Sequence, residues 1–415
     1  MSTPAHTIVV GGGLVGAACA YYLQRAGSRV TIIEKSSFGS GCSYANCGYI
    51  CPGHVLPLAE PGAIGRTMKA MCRSGSPFYI RPRLDPWLWA WLLRFAGRCN
   101  QRDMMEAGVA RQALLASSMS LYEKLLEDED IDCEWERRGL LYVYQTKAAL
   151  DDYARTDALL REHFNEPATR LDRDALLALE PTLKPDLAGG WHYEHEAHLR
   201  SERLLSEWRR VLEAKGVVVH ENCELRNIRK TGRNAHAIDT NLGEMTADAF
   251  VIATGATTPL LRHALGWRAP IQPGKGYSIT MPRPANCPTT PMIFQEHKVA
   301  VTPMRSGYRL GSTMELGGYD TRINRKRLAL LRRGAEPYLK EAWCEPVEQE
   351  WFGWRPMTYD GLPRIGALPH MDNVIVAVGH NMVGLSMATG TGALVAELLG
   401  AATPHVDPAP YSPRR

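Results

Sequence analysis

Residues 6–35 read HTIVVGGGLVGAACAYYLQRAGSRVTIIEK. Ile8, Val9 and Val10 form a short continuous apolar run, the pattern of a strand buried on both faces. The run passes at once into Gly11-x-Gly13-x-x-Gly16. In this motif the first glycine permits a tight turn, the second lets backbone approach a pyrophosphate, and the third lets the following helix lie close on the strand. The spacing predicts a helix from about Leu14 to Arg25 that ends at Gly27, with the positive end of its dipole facing the phosphates. A second strand, Val30 to Ile33, ends in Glu34, placed to accept ribose hydroxyls and to repel a 2′-phosphate. Glycines framed by strand, helix, strand and acid predict a bound dinucleotide.

Composition bounds the rest. The chain has 415 residues, 45% hydrophobic and 22% charged, enough for two domains with substantial cores. A net charge of +4 without a basic run argues against nucleic acid. The first apolar residues belong to the strand rather than to a signal peptide, and no uncharged apolar run reaches the roughly 18 residues of a membrane span. The expectation is a cytoplasmic protein. Its ten cysteines lack regular spacing and read as reduced thiols. Cys42, Cys47, Cys51 and His54 crowd one loop, but their spacing matches no metal motif, and they read as small side chains near the cofactor rather than as ligands.

Further strands are expected at Val217 to Ile228 and at Asp248 to Ala256, so the dinucleotide sheet gathers pieces distant in sequence. Near the C-terminus, Val374 to Val378 reads as strand, then a glycine-bearing loop, then a helix to about Leu399. That loop presents backbone N–H groups and a helix N-terminus at one spot, suited to a flavin's pyrimidine oxygen. Helical patterns at Ala107 to Glu127, Ala148 to His163 and Arg173 to Leu179, a strand-like GLLYVYQT and the short strands of 268–350 predict a second domain. The fold class is therefore α/β, a Rossmann-type dinucleotide-binding domain (1–79, 199–267 and 351–415) with an inserted antiparallel-sheet α+β substrate domain (80–198 and 268–350).

Four longer segments carry a family resemblance: residues 43–71, GKGYSITMP (274–282), GWRPMTYDGLPRIG (353–366) and VGHNMVGLSMATGTG (378–392). In this order they resemble the D-amino acid oxidase superfamily of FAD enzymes, most closely the bacterial D-amino acid dehydrogenases, over nearly the whole length. The resemblance implies FAD rather than NAD. It also implies oxidation of a C–H beside an amine by hydride transfer to flavin N5, giving an imine and then a 2-oxo acid and ammonia. Arg355, in the glycine-x-arginine-proline motif, is expected to grip the substrate carboxylate bidentately, the alternative being a pair with Asp360. Tyr277 is expected either to assist that grip through its hydroxyl or to be packed. His380 is expected beside the flavin ring, and Tyr49 and His54 on the cavity wall. The implied cofactor contacts are Gly11, Gly13, Leu14, Val15, Gly16, Glu34 and Lys35 in the first unit, and Gly41, Ser43, Asn46 and Cys47 after it. Leu225, Thr254 and Gly255 follow, with Gly379, Met382, Val383, Gly384 and Leu385 in the last loop.

Several residues depart from the family pattern: Trp354 beside Arg355, Asn381-Met382-Val383 after His380, and Cys47 and Cys51. They point to an altered pocket, with a cyclic D-imino acid such as D-proline as the alternative substrate. Family dehydrogenases imply a quinone-type acceptor, oxidases oxygen. Asp85 to Arg98, DPWLWAWLLRFAGR, fits either a helix packed on the substrate domain or one resting on the inner face of the cytoplasmic membrane. A flavin-binding subunit inactive without partners is the reading from a different class.

Overall fold

The computed structural model describes residues 3–71 and 75–415. Strand His6–Val10, helix Leu14–Arg25 and strand Arg29–Ile33 follow the predicted order. Among the described residues they lie in a six-stranded sheet. Its order is Arg364–Leu368, Met371–Val378, Ala249–Ile252, His6–Val10, Arg29–Ile33 and Val218–His220, parallel except at the first pair. Alternation divides its side chains between two cores. Val9, Ile32, Val251 and Ile375 pack into a helix layer where Leu14–Arg25 lies on Ala388–Gly400. Ile8, Val10, Ile33, Phe250 and Val376 pack on the other face, against Ile228, Ala235 and Ile238 of a small three-stranded sheet. Both faces being covered, the strands read as unbroken apolar runs.

The helix approaches the first strand so closely that a Cβ on Gly16 would overlap the Gly11 carbonyl oxygen. Gly11 itself has φ +111, and its N–H donates to Ile33 O at 2.8 Å. The segment 217–228, read from sequence as one strand, is two. Asn222, at φ +53, turns the chain out of Val218–His220, and Leu225–Thr231 joins the three-stranded sheet. Asparagine tolerates that left-handed conformation, which a continuous strand would exclude.

A second sheet of nine strands, mostly antiparallel, holds Ile271–Met281 between Gln349–Thr358 and Gly307–Leu316. The boundary read at 351 therefore falls inside a strand of this second sheet. Phe78–Ile80, which straddles the boundary read at 79, also pairs here. Strand partners are chosen by tertiary contact, which leaves no local sign. Helix Gln101–Asp128 extends the predicted 107–127 pattern, while 148–163 divides into Lys147–Asp152 and Ala154–Phe164. One face of the nine-stranded sheet forms a core of Tyr277, Ile279, Phe294, Val301 and Leu310 beneath Leu328 and Leu331 of helix Arg325–Ala335.

Gly16→Ala should destabilise the protein by about 3 kcal/mol, because the backbone on both sides of the contact must move. Exposed Gly97, with open space around its Cα inside helix Pro86–Arg98, is the control. Gly97→Ala should be neutral or stabilising by up to about 1 kcal/mol. Denaturant unfolding of both variants checks the pair.

Candidate functional site

The glycine loop and the segments around it form a cradle. Leu14 N–H donates to Ser43 Oγ at 3.0 Å, while the N–H groups of Gly13 and Val15 meet no acceptor among the described residues. A Cβ on Gly13 would lie 3.0 Å from Ser43 Oγ, and one on Gly11 would lie 2.6 Å from Ala253 O, just before Thr254 and Gly255. Glu34 receives Gly12 N–H at 2.9 Å and Ser36 N–H at 3.0 Å, one on each oxygen. Each oxygen keeps a second lone pair for a hydroxyl. Cys223 N–H donates to Glu34 O at 2.8 Å, which brings Leu225 past this end of the sheet, its side chain packed with Ile33. Lys35 and Gly41 are exposed. At the far end, Gly379, at φ +82, turns the chain out of Met371–Val378. The N–H groups of Gly384 and Leu385 have no acceptor among the described residues, and Val383 is buried while Met382 is 43% exposed. Free N–H donors over a helix start at one end and beside a glycine turn at the other fit an elongated dinucleotide with anionic groups at both places.

Between these ends the 43–48 loop is pinned to the second sheet's other face. Ser278 Oγ donates to Ala45 O at 2.7 Å, Arg309 Nη1 to Asn46 O at 2.9 Å and Thr302 Oγ1 to Cys47 O at 2.7 Å. Asn46 closes the turn itself, donating to Ser43 O at 2.9 Å and accepting Gly48 N–H at 2.8 Å. Arg355 stands on this face. Its guanidinium lies across Gly276, where any Cβ would overlap it, and its Nη1 donates to Thr313 O at 2.7 Å. Among the described residues it has no carboxylate partner, for Asp360 is taken by buried Arg364 at 2.7 Å. Burial pushes the Cys42 thiol up to about 11, with the nearby Arg355 charge acting the other way. Cys47 is raised by the same balance.

Several expected residues go elsewhere. Tyr277 is buried on the opposite face, where its hydroxyl donates to Glu315 Oε2 at 3.1 Å, so it is packed and offers Arg355 no help. Trp354 also lies on that face, its ring 5.5 Å from those of Tyr319 and Phe352. It does not narrow the cavity on the Arg355 side. Tyr49 donates its hydroxyl to Val301 O at 2.7 Å. His380 is buried, with Nε2 3.0 Å from Thr391 Oγ1 in helix Ala388–Gly400, and burial pushes it down to about 3. His54 meets Tyr142 across 3.3 Å and is pushed down to about 4, by burial first and then by the charges of Arg111 and Lys298. Cys42 and Cys47 flank Arg355, whereas Cys51 lies by Glu196. Cys72 falls outside the described residues.

Sequence reading missed the residues that hold the site together. Buried Arg111 donates to His54 O and Val55 O at 2.7 Å and to Gly361 O at 2.9 Å, joining two segments. Its only signal is a charge interrupting the Ala107, Ala110, Leu114 stripe. Asn381, at φ +53, donates its backbone N–H to Pro356 O and accepts Thr358 N–H at 2.9 Å, tying the last loop to the Arg355 strand. Buried Glu196 accepts Gly53 N–H at 3.2 Å, has no partner for Oε2, and is lifted by burial to about 8.

The model of the FAD dependent oxidoreductase family matches residues 6–398. D-amino acid dehydrogenase of Granulibacter bethesdensis is 31% identical, with 97% of each chain covered. That of Paramagnetospirillum magneticum is 32% identical over 94% of each. Among solved structures, glycine oxidase from Geobacillus kaustophilus superposes with a TM-score of 0.79 at 25% identity, covering 99% of this chain and 98% of that one. L-proline dehydrogenase from P. horikoshii shares the fold, with a TM-score of 0.74 at 18% identity and coverage of 100% and 98%.

Glu196 supplies a stability prediction. Its folded pKa of about 8 exceeds the ordinary 4.5, so the folded protein keeps a proton that the unfolded chain releases between those values. Stability therefore falls as pH rises from about 4.5 to 8, by a few kcal/mol at most. Glu196→Gln keeps an acceptor for Gly53 and cannot ionise. Its melting temperature should exceed the native value at pH 8, with the gain shrinking towards pH 5.

Proposed function

The chain belongs to the FAD dependent oxidoreductase family, and from that premise we propose that it oxidises D-amino acids to 2-oxo acids and ammonia, with electrons leaving to a quinone-type acceptor. FAD is the cofactor, and oxidative deamination of amino or imino acids is the general chemistry. The observation that carries the substrate reading is Arg355, a guanidinium on the site face with one carbonyl partner and no acid. A substrate carboxylate completes it through a charge-assisted fork. FAD supplies the two-electron acceptor for the α-hydrogen. The protein contributes placement: Arg355 fixes the carboxylate, the pinned 43–48 loop and the sheet face bound the cavity, and side-chain space selects the enantiomer. The preference for D-substrates draws its support from the similarity to the dehydrogenases. A cyclic imino acid loses one motive, since Trp354 lies on the far face.

A quinone acceptor and peripheral membrane contact draw support from the surface. Exposed apolar side chains gather between residues 58 and 93: Leu58, Ile64, Met68, Tyr79, Leu84, Trp89 and Leu93. Exposed Arg66 lies among them. Helix Pro86–Arg98 packs Leu88 and Trp91 against Met314, Leu316 and Met357, as the packed reading expects, and leaves Trp89 and Leu93 exposed on its other side. Exposed apolar side chains of this kind suit the headgroup boundary, although Arg66 among them is paired with Glu60. Among the described residues no helix is long and apolar enough to cross a membrane.

The test is anaerobic mixing of the FAD-loaded protein with D- and L-amino and imino acids, read as bleaching of flavin absorbance. D-amino acids should bleach it fastest, and bleaching by L-enantiomers alone would refute the stereochemical reading. Arg355→Ala should lower kcat/KM by roughly a hundredfold to several thousandfold at unchanged FAD content, from about 3 to 5 kcal/mol of lost carboxylate binding. Arg355→Lys should recover only part. An artificial quinone should sustain faster turnover than oxygen; rapid stoichiometric peroxide formation in air would make the enzyme an oxidase.

A further inference from the structure

Thr313 carries two costs that the fold does not explain. It has φ +58, directly after Ser312 at φ +118. Both lie in the region that L side chains avoid, and a β-branched residue suits it least. Its hydroxyl is also buried and without a hydrogen-bond partner, the residue being only 3% exposed. An unsatisfied buried hydroxyl adds the desolvation cost of a lost hydrogen bond. Glycine at this position would carry neither burden.

The place of Thr313 in the sheet gives these costs a meaning. Along the pairing with Ile271–Met281, Lys275 faces Glu315 and Tyr277 faces Ser312, so Thr313 and Met314 together stand opposite Gly276. Two residues against one is a β-bulge. The bulge takes the Thr313 carbonyl out of the ladder, and that carbonyl accepts Arg355 Nη1 at 2.7 Å. Met314 N–H turns to Pro77 O at 2.8 Å instead. Gly276, the residue that the bulge spans, is the one across which the guanidinium lies. The Thr313 hydroxyl belongs to the residue that Arg355 holds, roughly 3–5 Å from that carbonyl oxygen by covalent geometry. A strained backbone, an orphan hydroxyl and a guanidinium without an acid thus meet at one point.

We propose that Thr313 is a second carboxylate-binding residue, whose hydroxyl donates to the substrate carboxylate gripped by Arg355. This rests on the reading of Arg355 as the carboxylate clamp. Tyr277, to which sequence assigned that assistance, has its hydroxyl committed to Glu315. Bound carboxylate would satisfy the Thr313 hydroxyl with a charge-assisted bond, next to the carbonyl of the same residue that Arg355 already holds. The substrate class follows: amino or imino acids with a free carboxylate, not their esters or amides.

The probe is benzoate, a carboxylate with no amine to oxidise, titrated into FAD-loaded protein and followed by flavin absorbance, alongside kcat and KM for the best amino acid. Thr313→Val keeps the shape and removes the hydroxyl. It should weaken benzoate binding and raise KM by about 10- to 100-fold, with kcat within a few fold and FAD content unchanged. Thr313→Ser should stay within about threefold of native, a rescue that a merely structural threonine would not give. Thr313→Gly accepts the backbone without strain, so it covers the case in which the valine variant fails to fold. It should show the same loss of binding with higher thermal stability. Arg355→Ala separates the two readings. If it weakens benzoate while Thr313→Val or Thr313→Gly binds as native, the Thr313 proposal is overturned and the clamp stands. If Arg355→Ala also binds as native, the clamp falls and this proposal with it.

Discussion

The site hangs from the antiparallel ladder between Ile271–Met281 and Gln349–Thr358, which runs from the Ile271–Thr358 pair to the Thr280–Gln349 pair. Ile271 is part of the core under the six-stranded sheet, whereas Tyr277 and Ile279 are part of the core of the second sheet. One pair of strands is therefore built into both halves, and its register decides which side chains face the cofactor cradle. A slip by one residue would exchange Arg355 for Trp354 on the site face. It would also carry a guanidinium onto the face of Tyr277, beside the cation that buried Lys275 already places there. The register is fixed by what each face refuses.

Three arginines near this ladder show how charge is distributed. Arg364 is fully buried and paired with Asp360, so the acid that follows Arg355 in the same motif is already committed. Arg111 is buried without an acid, but its three donors meet three carbonyls, and burial pushes its pKa down to about 10. Arg355 has a single carbonyl and a sheet face cleared by Gly276. The first two guanidinium groups are complete within the protein. The third has donors to spare, and unsatisfied charged donors at a cavity wall are where an anionic ligand gains most.

The cradle was legible in the sequence because its parts are local: turn, helix start and acid all lie within residues 6–35. The last loop was legible for the same reason. Reading failed where a side chain's destination depends on a partner strand. Tyr277 and Trp354 stand in the right motifs but on the wrong face, and only the pairing with Gly307–Leu316 and the bulge in it reveal this. Thr313 has no local signature at all, since positive φ is ordinarily announced by glycine or asparagine. Asn222 and Asn381 do announce it, yet in one case the turn was read through as strand. Ser278, Thr302 and Arg309 were invisible because what they hold, the 43–48 loop, lies more than two hundred residues away.

The same geometry decides where protons can reside. His380 and His54, the imidazoles expected at the site from sequence, are pushed down to about 3 and about 4, so neither carries charge at neutral pH. Each also has a ring nitrogen engaged, by Thr391 or by Tyr142. Tyr49 and Tyr277 have committed hydroxyls and pKa values raised by burial. None of these four candidates is therefore poised to exchange a proton near neutral pH. Placement rather than a protein base is then what the chain supplies, which suits a reaction in which the substrate reaches the flavin with its amine already uncharged. Under the proposed clamp, Arg355 contributes by fixing the carboxylate and, with it, the position of the α-hydrogen.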